Sequence, residues 1–262
     1  MWTLARIVFG AAMVTFLIAP LIAILPLAFT SSVFLTYPMP GVSMRWFEVL
    51  ATDAVWRRSI VNSLVIGGST TVLATLLGSL AALGLREQFR FAGAFRTLFL
   101  LPMVVPAVVL GVGMQILFAR IGLASSYMGV IAAHTVVAMP FVIVSVAASL
   151  AGIDRRVERA ALSLGARPPT VLFRVTVPLA MPGILSGAVL AFATSLDEVV
   201  LTLFVAGPNQ RTLARQMFST IRENISPAIA AAAFLFIVGT VIVAALMLLA
   251  RRRSSRPAAS GT

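Results

Sequence analysis

The sequence contains no cysteine, no lysine and only one histidine, His134. Without cysteine the chain can form no disulfide, thiolate metal site or cysteine nucleophile. A single histidine cannot supply a histidine-rich metal centre or an H-E-x-x-H protease motif. Without lysine there is neither a P-loop for ATP hydrolysis nor an amine for Schiff-base chemistry. These absences exclude several large classes of enzyme.

Charge is also scarce. Only 11% of the 262 residues are charged, whereas 60% are hydrophobic. Soluble domains carry about 25% charged residues, so this chain has too little charge to cover a surface that faces water. We therefore predict an integral membrane protein. The net charge of +12 comes from arginines scattered between apolar runs. This arrangement favours anchoring at a membrane surface over binding of nucleic acid.

Long stretches without charge predict six transmembrane helices, because a helix needs about 20 mostly apolar residues to cross a bilayer. We predict these helices at residues 7–29, 60–84, 98–119, 128–150, 180–205 and 228–250. The expected architecture is an all-α, polytopic protein with one membrane domain, 1–262. Its longest connections are residues 30–58 and 207–227 on one side of the membrane and 151–178 on the other.

The arginines predict the orientation, because positive charge collects on the cytoplasmic side. Thirteen of the 20 arginines lie at the two chain ends and in the connections after the second and fourth spans. Both termini and the connection 151–178 are therefore predicted to be cytoplasmic. The connections 30–58 and 207–227 are then outer loops.

The connection 151–178 has the pattern of a short helix followed by an elbow. Asp154 can cap a helix whose apolar positions follow a single face, and Gly165 can end that helix. Pro168 can begin a second helical piece, since proline is tolerated in a first turn. The apolar positions are Val157, Ala160, Ala161 and Leu164. The same pattern is typical of an amphipathic loop that rests on lipid headgroups, and the residues alone leave both interpretations open.

Residues 158–166, together with 175–179 and Pro182-Gly183, resemble the EAA motif. This motif marks the permease subunits of bacterial ATP-binding-cassette importers of the type I fold. The resemblance implies a coupling helix that docks onto an ATPase subunit. The coupling residues it implies are Glu158, Arg159, Ala160, Ala161, Gly165 and Ala166. One position departs from the motif, because its glutamate directly before the two alanines is Arg159 here and Glu158 lies one place earlier.

Further segments are similar to permeases of the spermidine/putrescine importer branch. They are residues 38–47, 101–113, 195–200, 204–208 and 225–227. The resemblance implies a multi-pass subunit of the bacterial inner membrane that forms half of a translocation pathway. Its implied partners are an ATPase dimer, a second and different permease chain, and an extracytoplasmic solute-binding protein. It also implies that this chain binds no cofactor and that ATP and Mg²⁺ are used by the ATPase subunits.

Asp197 and Glu198 interrupt the apolar fifth span. A charge inside the membrane costs at least about 2.5–3.5 kcal/mol, so such a residue usually faces a bundle interior, a partner or water. One interpretation places the pair beside the substrate pathway of an amine importer. The other gives the pair a structural role at a subunit contact or a helix break. Neighbouring residues point about 100° apart on a helix, so only one of the two would face a pathway squarely.

Three other functions stay open at this level. The chain could import another small solute, such as an opine or an amino-acid derivative. It could be a scaffold subunit without a pathway. It could also be an intramembrane hydrolase that uses His134 with Ser186 or Ser195, although a G-x-S-x-G motif is lacking. For His134 itself, a hydrogen-bonded packing role is favoured over contact with substrate. The outer loops could form a landing surface for the binding protein or rest as interfacial helices on lipid.

The predicted orientation can be tested with reporters that work only inside or only outside the cell. Fusions after Arg90, Gly165 and Thr262 should be active inside, and a fusion after Asn209 should be active outside. A reporter after Gly165 that is active only outside would contradict the topology.

Overall fold

The computed structural model describes residues 2–87, 89–223 and 225–254, and among these the side chains of residues up to 242. These residues are mostly helical and form no β-strand; one isolated bridge joins Thr30 and Val42. The predicted all-α class is confirmed. The described residues of Met1–Arg57 and Gln216–Val241 form one compact unit, and those of Arg58–Arg215 and Ile242–Thr262 form a second.

The α-helices of the described residues are α1 (Trp2–Ile24), α2 (Arg45–Thr52), α3 (Ala54–Arg86), α4 (Ala92–Leu100), α5 (Ala107–Ile121), α6 (Tyr127–Ala151), α7 (Arg155–Ser163), α8 (Pro168–Val171), α9 (Val177–Asp197), α10 (Val200–Val205), α11 (Leu213–Glu223) and α12 (Ala228–Ser254). Short 3₁₀-helices cover Leu25–Phe29, Leu101–Met103 and Pro208–Gln210, and a π-helical turn covers Leu172–Thr176.

Four helical stretches of the described chain are long and apolar enough to cross a membrane. They are Trp2–Phe29, Ala54–Arg86, Tyr127–Ala151 and Pro168–Asp197. A fifth crossing is possible if the bent pair Ala92–Met103 and Ala107–Ile121 counts as one, and a shorter apolar stretch covers Ala228–Ile242. The count of six and the side of the termini stay predictions.

Two predicted spans have different shapes in the structure. The span 98–119 is not one straight helix, because the chain bends by 101° between Met103 and Ala107. Pro106 begins the new helix from an extended conformation, and a proline disfavours helix at the residue before it. The span 180–205 is longer at its start and divided near its end. Its helix runs on from Pro168 through the π-helical turn to Asp197, and α10 follows after a break.

The first unit has an aromatic core. Phe29, Phe47 and Phe234 meet with ring centroids 5.1–5.7 Å apart. Two of the three contacts are edge-to-face, a geometry that the charge distribution of aromatic rings favours. Trp46 is buried and donates its indole N–H to the carbonyl of Ser32 at 3.2 Å. Trp46 therefore belongs to the packing of this unit and is not an exposed aromatic anchor.

Small residues bring the helices of the second unit together. The main pair is α6 with α9, and α5 packs against α10. A Cβ atom added to Gly187 of α9 would lie only 3.0 Å from the Cα of Val142 in α6. A Cβ at Gly78 of α3 would lie 2.8 Å from the Cβ of Val142. Gly78 therefore serves packing within the chain, as small residues do where helix backbones approach closely.

Replacing Gly78 with alanine should destabilise the protein, because the new methyl group meets Val142 Cβ and the carbonyl oxygen of Met139, 3.2 Å away. Overpacking of this kind costs about 1–3 kcal/mol. Gly68→Ala is the matched control on the same helix, since a Cβ there has no neighbour within 4 Å. Thermal unfolding of the purified protein should show a lower midpoint for Gly78→Ala only; equal midpoints for the two variants would contradict this packing.

Candidate functional site

The connection between α6 and α9 forms the elbow that the sequence predicts. Asp154 caps α7 by accepting a hydrogen bond from the backbone N–H of Arg156 at 2.8 Å. At the other end, Gly165 has a φ of +89°, which favours glycine. The N–H of Gly165 bonds to Leu162 O, and the N–H of Ala166 bonds to Ala161 O. This pair of bonds is a Schellman motif, which satisfies the last carbonyls of the helix.

The apolar face of α7 is uncovered in the isolated chain. Leu164 is 90% exposed and Val157 is 49% exposed. Ala160 is exposed, and Ala161 is half-buried on the same face. Arg159 is exposed as well, on a different side of the helix. An amphipathic helix that presents apolar groups in this way marks a contact surface for a partner or a membrane.

Glu158 differs from the other predicted coupling residues because its side chain turns toward the rest of the second unit. Its Oε1 accepts a hydrogen bond from Arg86 Nη1 at 2.6 Å and another from Thr176 Oγ1 at 2.7 Å. Burial alone would raise the pKa of this carboxyl. The hydrogen bonds from Thr176 and Arg86 and the charges of Arg86 and Arg155 outweigh burial and lower the pKa. Glu158 is therefore held ionised in the fold.

The structure separates the two acidic residues of the fifth span. Helix α9 ends at Asp197, and Glu198 has an extended backbone with φ −76° and ψ 103°. Glu198 Oε1 accepts the backbone N–H of Leu201 at 2.8 Å, so this carboxylate caps α10. Asp197 is exposed, and its side chain makes no hydrogen bond or ion pair with the described residues. Asp197 is thus the member of the pair that is available to a ligand.

Charged groups lie at both ends of the short helix α10. Glu198 lies at the N-terminus, and Arg215 of α11 lies at the C-terminus. Arg215 Nη1 donates to the carbonyls of Thr202 and Ala206 at 3.1 and 2.9 Å. An acidic group at the start and a basic group at the end both complement the helix dipole. These contacts stabilise a helix of only six residues, which would be too short to be stable alone.

His134 joins α6 to both sides of the break. Its Nδ1 lies 2.8 Å from Ser195 Oγ of α9, and its Nε2 lies 3.0 Å from Thr202 Oγ1 of α10. The imidazole is fully buried. Both ring nitrogens have a hydroxyl partner. Because Thr202 donates its one hydroxyl proton to the carbonyl of Glu198, the Nε2–H of His134 donates to Thr202 Oγ1 and Nδ1 accepts from the hydroxyl of Ser195. His134 therefore has the hydrogen-bonded packing role that the sequence favours.

A polar network that sequence reasoning missed holds the segment after α10. Asn62 Nδ2 donates to the carbonyls of Asn209 and Arg211 at 2.8 and 2.9 Å. Tyr127 donates its hydroxyl to Asn62 Oδ1 at 2.8 Å, and Arg58 donates to Asn209 Oδ1 at 3.0 Å. The one signal in the sequence was a polar amide near the start of an apolar span, because such a group must find partners when it is buried.

These features define a membrane-embedded protein with an uncovered helix for a partner and an interrupted apolar helix beside an exposed carboxylate. A family model described as "Binding-protein-dependent transport system inner membrane component" matches residues 74–256. The chain belongs to this family. It is accordingly an inner-membrane component of a binding-protein-dependent transport system.

Known relatives cover most of the chain. The putrescine transport system permease protein PotI of Escherichia coli (strain K12) is 35% identical over 87% of this chain and 83% of its own. The spermidine/putrescine transport system permease protein PotC of the same strain is 32% identical over 88% of this chain and 87% of its own. The molybdenum transport system permease protein ModB of Mycobacterium bovis is 37% identical over 82% of this chain and 89% of its own.

The fold also matches a solved transporter. A crystal structure of a bacterial alginate ABC transporter, in complex with an alginate pentasaccharide-bound periplasmic protein, contains a chain that superposes with a TM-score of 0.74. The match covers 98% of this chain and 96% of that one at 18% sequence identity. It shows that the chain has the fold of an ABC importer permease.

Proposed function

We propose that this chain is one of two permease subunits of an ATP-driven importer for a polyamine or a related small amine. It spans the bacterial inner membrane six times with both termini in the cytoplasm. It forms half of the translocation pathway and is coupled through α7 to a separate ATPase dimer. Its other partners are a second, different permease chain and an extracytoplasmic binding protein. The chain itself hydrolyses no ATP; ATP and Mg²⁺ are used by the ATPase subunits.

The uncovered face of α7 is the observation that carries this proposal. A side chain that is 90% exposed, as Leu164 is, costs free energy in water. Burial against a partner would recover part of that cost. The Schellman motif at Gly165 fixes the end of α7, so the face is presented in one orientation. The orientation predicted from the arginines puts it on the cytoplasmic side, where an ATPase would bind.

The position of the Asp197 carboxylate favours a positively charged solute. Asp197 lies at the C-terminus of α9, where the helix dipole and the last carbonyl groups already create a negative potential. In transporters with interrupted helices, such ends of half-helices face cations. Glu198 does not add to this potential in full, because its carboxylate is bonded to the N-terminus of α10. The names of PotI and PotC point to the same class of solute.

A molybdenum transport system is the second candidate, because ModB is 37% identical to this chain. An exposed carboxylate at a helix C-terminus would repel an anionic solute, which places this candidate below the amines. The intramembrane hydrolase has weaker support. His134 and Ser195 are within 2.8 Å of each other, but they are 0% and 2% exposed. A substrate carbonyl could not reach a hydroxyl buried in that way.

Ala161→Arg should abolish transport by the assembled importer, because a long charged side chain would enlarge the docking face of α7. Gly165→Pro should do the same, since proline cannot adopt a φ of +89°. The control is Ser163→Arg, which adds the same charge at an exposed position on another side of α7. Co-purification of ATPase subunits and solute uptake in vesicles measure the effect. Normal uptake by Ala161→Arg and Gly165→Pro would contradict the docking role.

Asp197→Asn should slow amine uptake severalfold per assembled complex, because the substitution removes the charge and preserves the shape. Glu198→Gln is the matched control and should be milder, since its amide oxygen can still accept the N–H of Leu201. Uptake by reconstituted vesicles is normalised to the amount of complex. Wild-type uptake by Asp197→Asn, or transport of an anion by the wild-type protein, would show that the carboxylate does not recognise the solute.

A further inference from the structure

We propose that Glu158 is an internal strut: it carries the movement of α7 to α3 and α9 and makes no contact with the ATPase. This inference rests on the proposed function of α7 as the docking helix. It assigns Glu158 a role different from that of the exposed face of the same helix. Glu158 is thus a positioning residue for transport.

The strut joins segments that are far apart in the sequence. Glu158 lies in α7, Arg86 is the last residue of α3, and Thr176 ends the π-helical turn before α9. Both donors converge on a single carboxylate oxygen, at 2.6 and 2.7 Å. The side chains of Arg86 and Glu158 are only 14% and 17% exposed. A partner that approaches α7 from outside therefore has little access to this carboxylate.

Arg86 is itself held by the ends of two helices. Its Nη2 donates to Ile153 O, just beyond α6, at 3.3 Å. The carbonyl of Arg86 accepts a hydrogen bond from Arg155 Nη2 at 2.7 Å. A shift of α7 would therefore act on the ends of α3 and α6 together. Charge-assisted hydrogen bonds of this kind are stronger than neutral ones, so they resist displacement.

The observed link between α7 and the end of α3 is polar. A cavity of about 600 Å³ lies directly beside Arg86 and Arg155. Its walls come from α3, α4 and α6 and include Leu85, Leu100 and Ile143. Arg155 of α7 also lines this cavity, and it meets α3 through the hydrogen bond to the carbonyl of Arg86. The polar contacts of Glu158 carry force between α7 and α3 together with the bond from Arg155 to the carbonyl of Arg86.

The contact at Thr176 lies at an irregular turn that leads directly into α9. The segment Leu172–Thr176 is a π-helical turn, which is rare and occurs mostly at functional positions. Thr176 is buried, and its hydroxyl donates to Glu158 across the elbow. A pull on Thr176 would act on the wide turn from which α9 continues as far as Asp197. Through Thr176, Glu158 is therefore connected to α9, the helix that we place beside the solute pathway.

The test compares Glu158→Gln with Glu87→Gln in the purified, reconstituted importer. Glu87 is the matched control, because it carries the same charge but is 71% exposed and pairs with Arg155 only at 3.7 Å. For Glu158→Gln the ATPase subunits should remain bound, since the docking face is unchanged. Solute transported per ATP hydrolysed should fall by about fivefold or more, the usual size of a coupling effect. Glu87→Gln should match the wild type.

Three further variants keep the test decisive if Glu158→Gln folds poorly. Thr176→Val removes only the hydroxyl and should lower coupling in the same direction with the complex intact. The double exchange Arg86→Glu with Glu158→Arg should recover part of the coupling that Arg86→Glu alone loses, because the ion pair is restored with reversed polarity. Rescue of this kind would not occur if Glu158 contacted the ATPase.

The outcomes separate the strut from the proposed function. Wild-type coupling in Glu158→Gln and Thr176→Val would overturn the strut. Loss of bound ATPase subunits from both variants would overturn it as well, since Glu158 would then serve docking. If the wild-type protein assembles with no ATPase subunit, the proposed function itself fails.

Discussion

The structure depends on one constraint of the membrane: a backbone polar group in hydrocarbon must be hydrogen-bonded within the protein. An uninterrupted helix meets this constraint by itself, whereas a break exposes N–H and C=O groups. At 198–199 the chain meets it with side chains. Glu198 accepts the N–H of Leu201, and Thr202 donates its hydroxyl to the carbonyl of Glu198 at 2.8 Å. Arg215 then covers the carbonyls at the other end of α10. Glu198, Thr202 and Arg215 thus bond to backbone groups that the break in the helix would otherwise leave without partners.

The elbow at 152–176 meets the same requirement in a different setting. There the helix ends are satisfied locally, by Asp154 at one end and by the Schellman motif of Gly165 at the other. Long-range contacts enter through Glu158, whose partners lie 72 and 18 residues away in the sequence, and through Ile153 and Arg155, which both bond to Arg86. The elbow is thus a locally stable piece that is joined to the end of α3 by a small group of polar contacts centred on Arg86. In our proposal, such a piece moves as a body and transmits that movement through these contacts.

The contrast between local helix caps and long-range contacts explains which features could be predicted from the sequence. The ends of α7 were predictable because a capping aspartate and a left-handed glycine act on their immediate neighbours. The partners of Glu158 were not, since nothing near Arg86 or Thr176 indicates that the fold brings them together. The exact breaks also escaped prediction. Pro106 signals a change of direction but gives no angle, and the structure shows a bend of 101°. For Asp197 and Glu198, helix geometry predicted that the two residues would differ, and only the structure shows that Glu198 is the cap.

The relatives show why the solute must be argued from local electrostatics. ModB is as similar in sequence to this chain as PotI and PotC are, although their names assign them different solutes. Residues that build helices, caps and the elbow satisfy the same membrane constraint in any importer, so overall identity mainly reports shared architecture. A solute meets only a few groups. In the interrupted span of this chain, Asp197 carries a negative charge, has no side-chain partner among the described residues and lies at the negative end of a helix dipole. The recognition of a cation that we propose therefore rests on the same break after α9 that the capping contacts of Glu198, Thr202 and Arg215 stabilise.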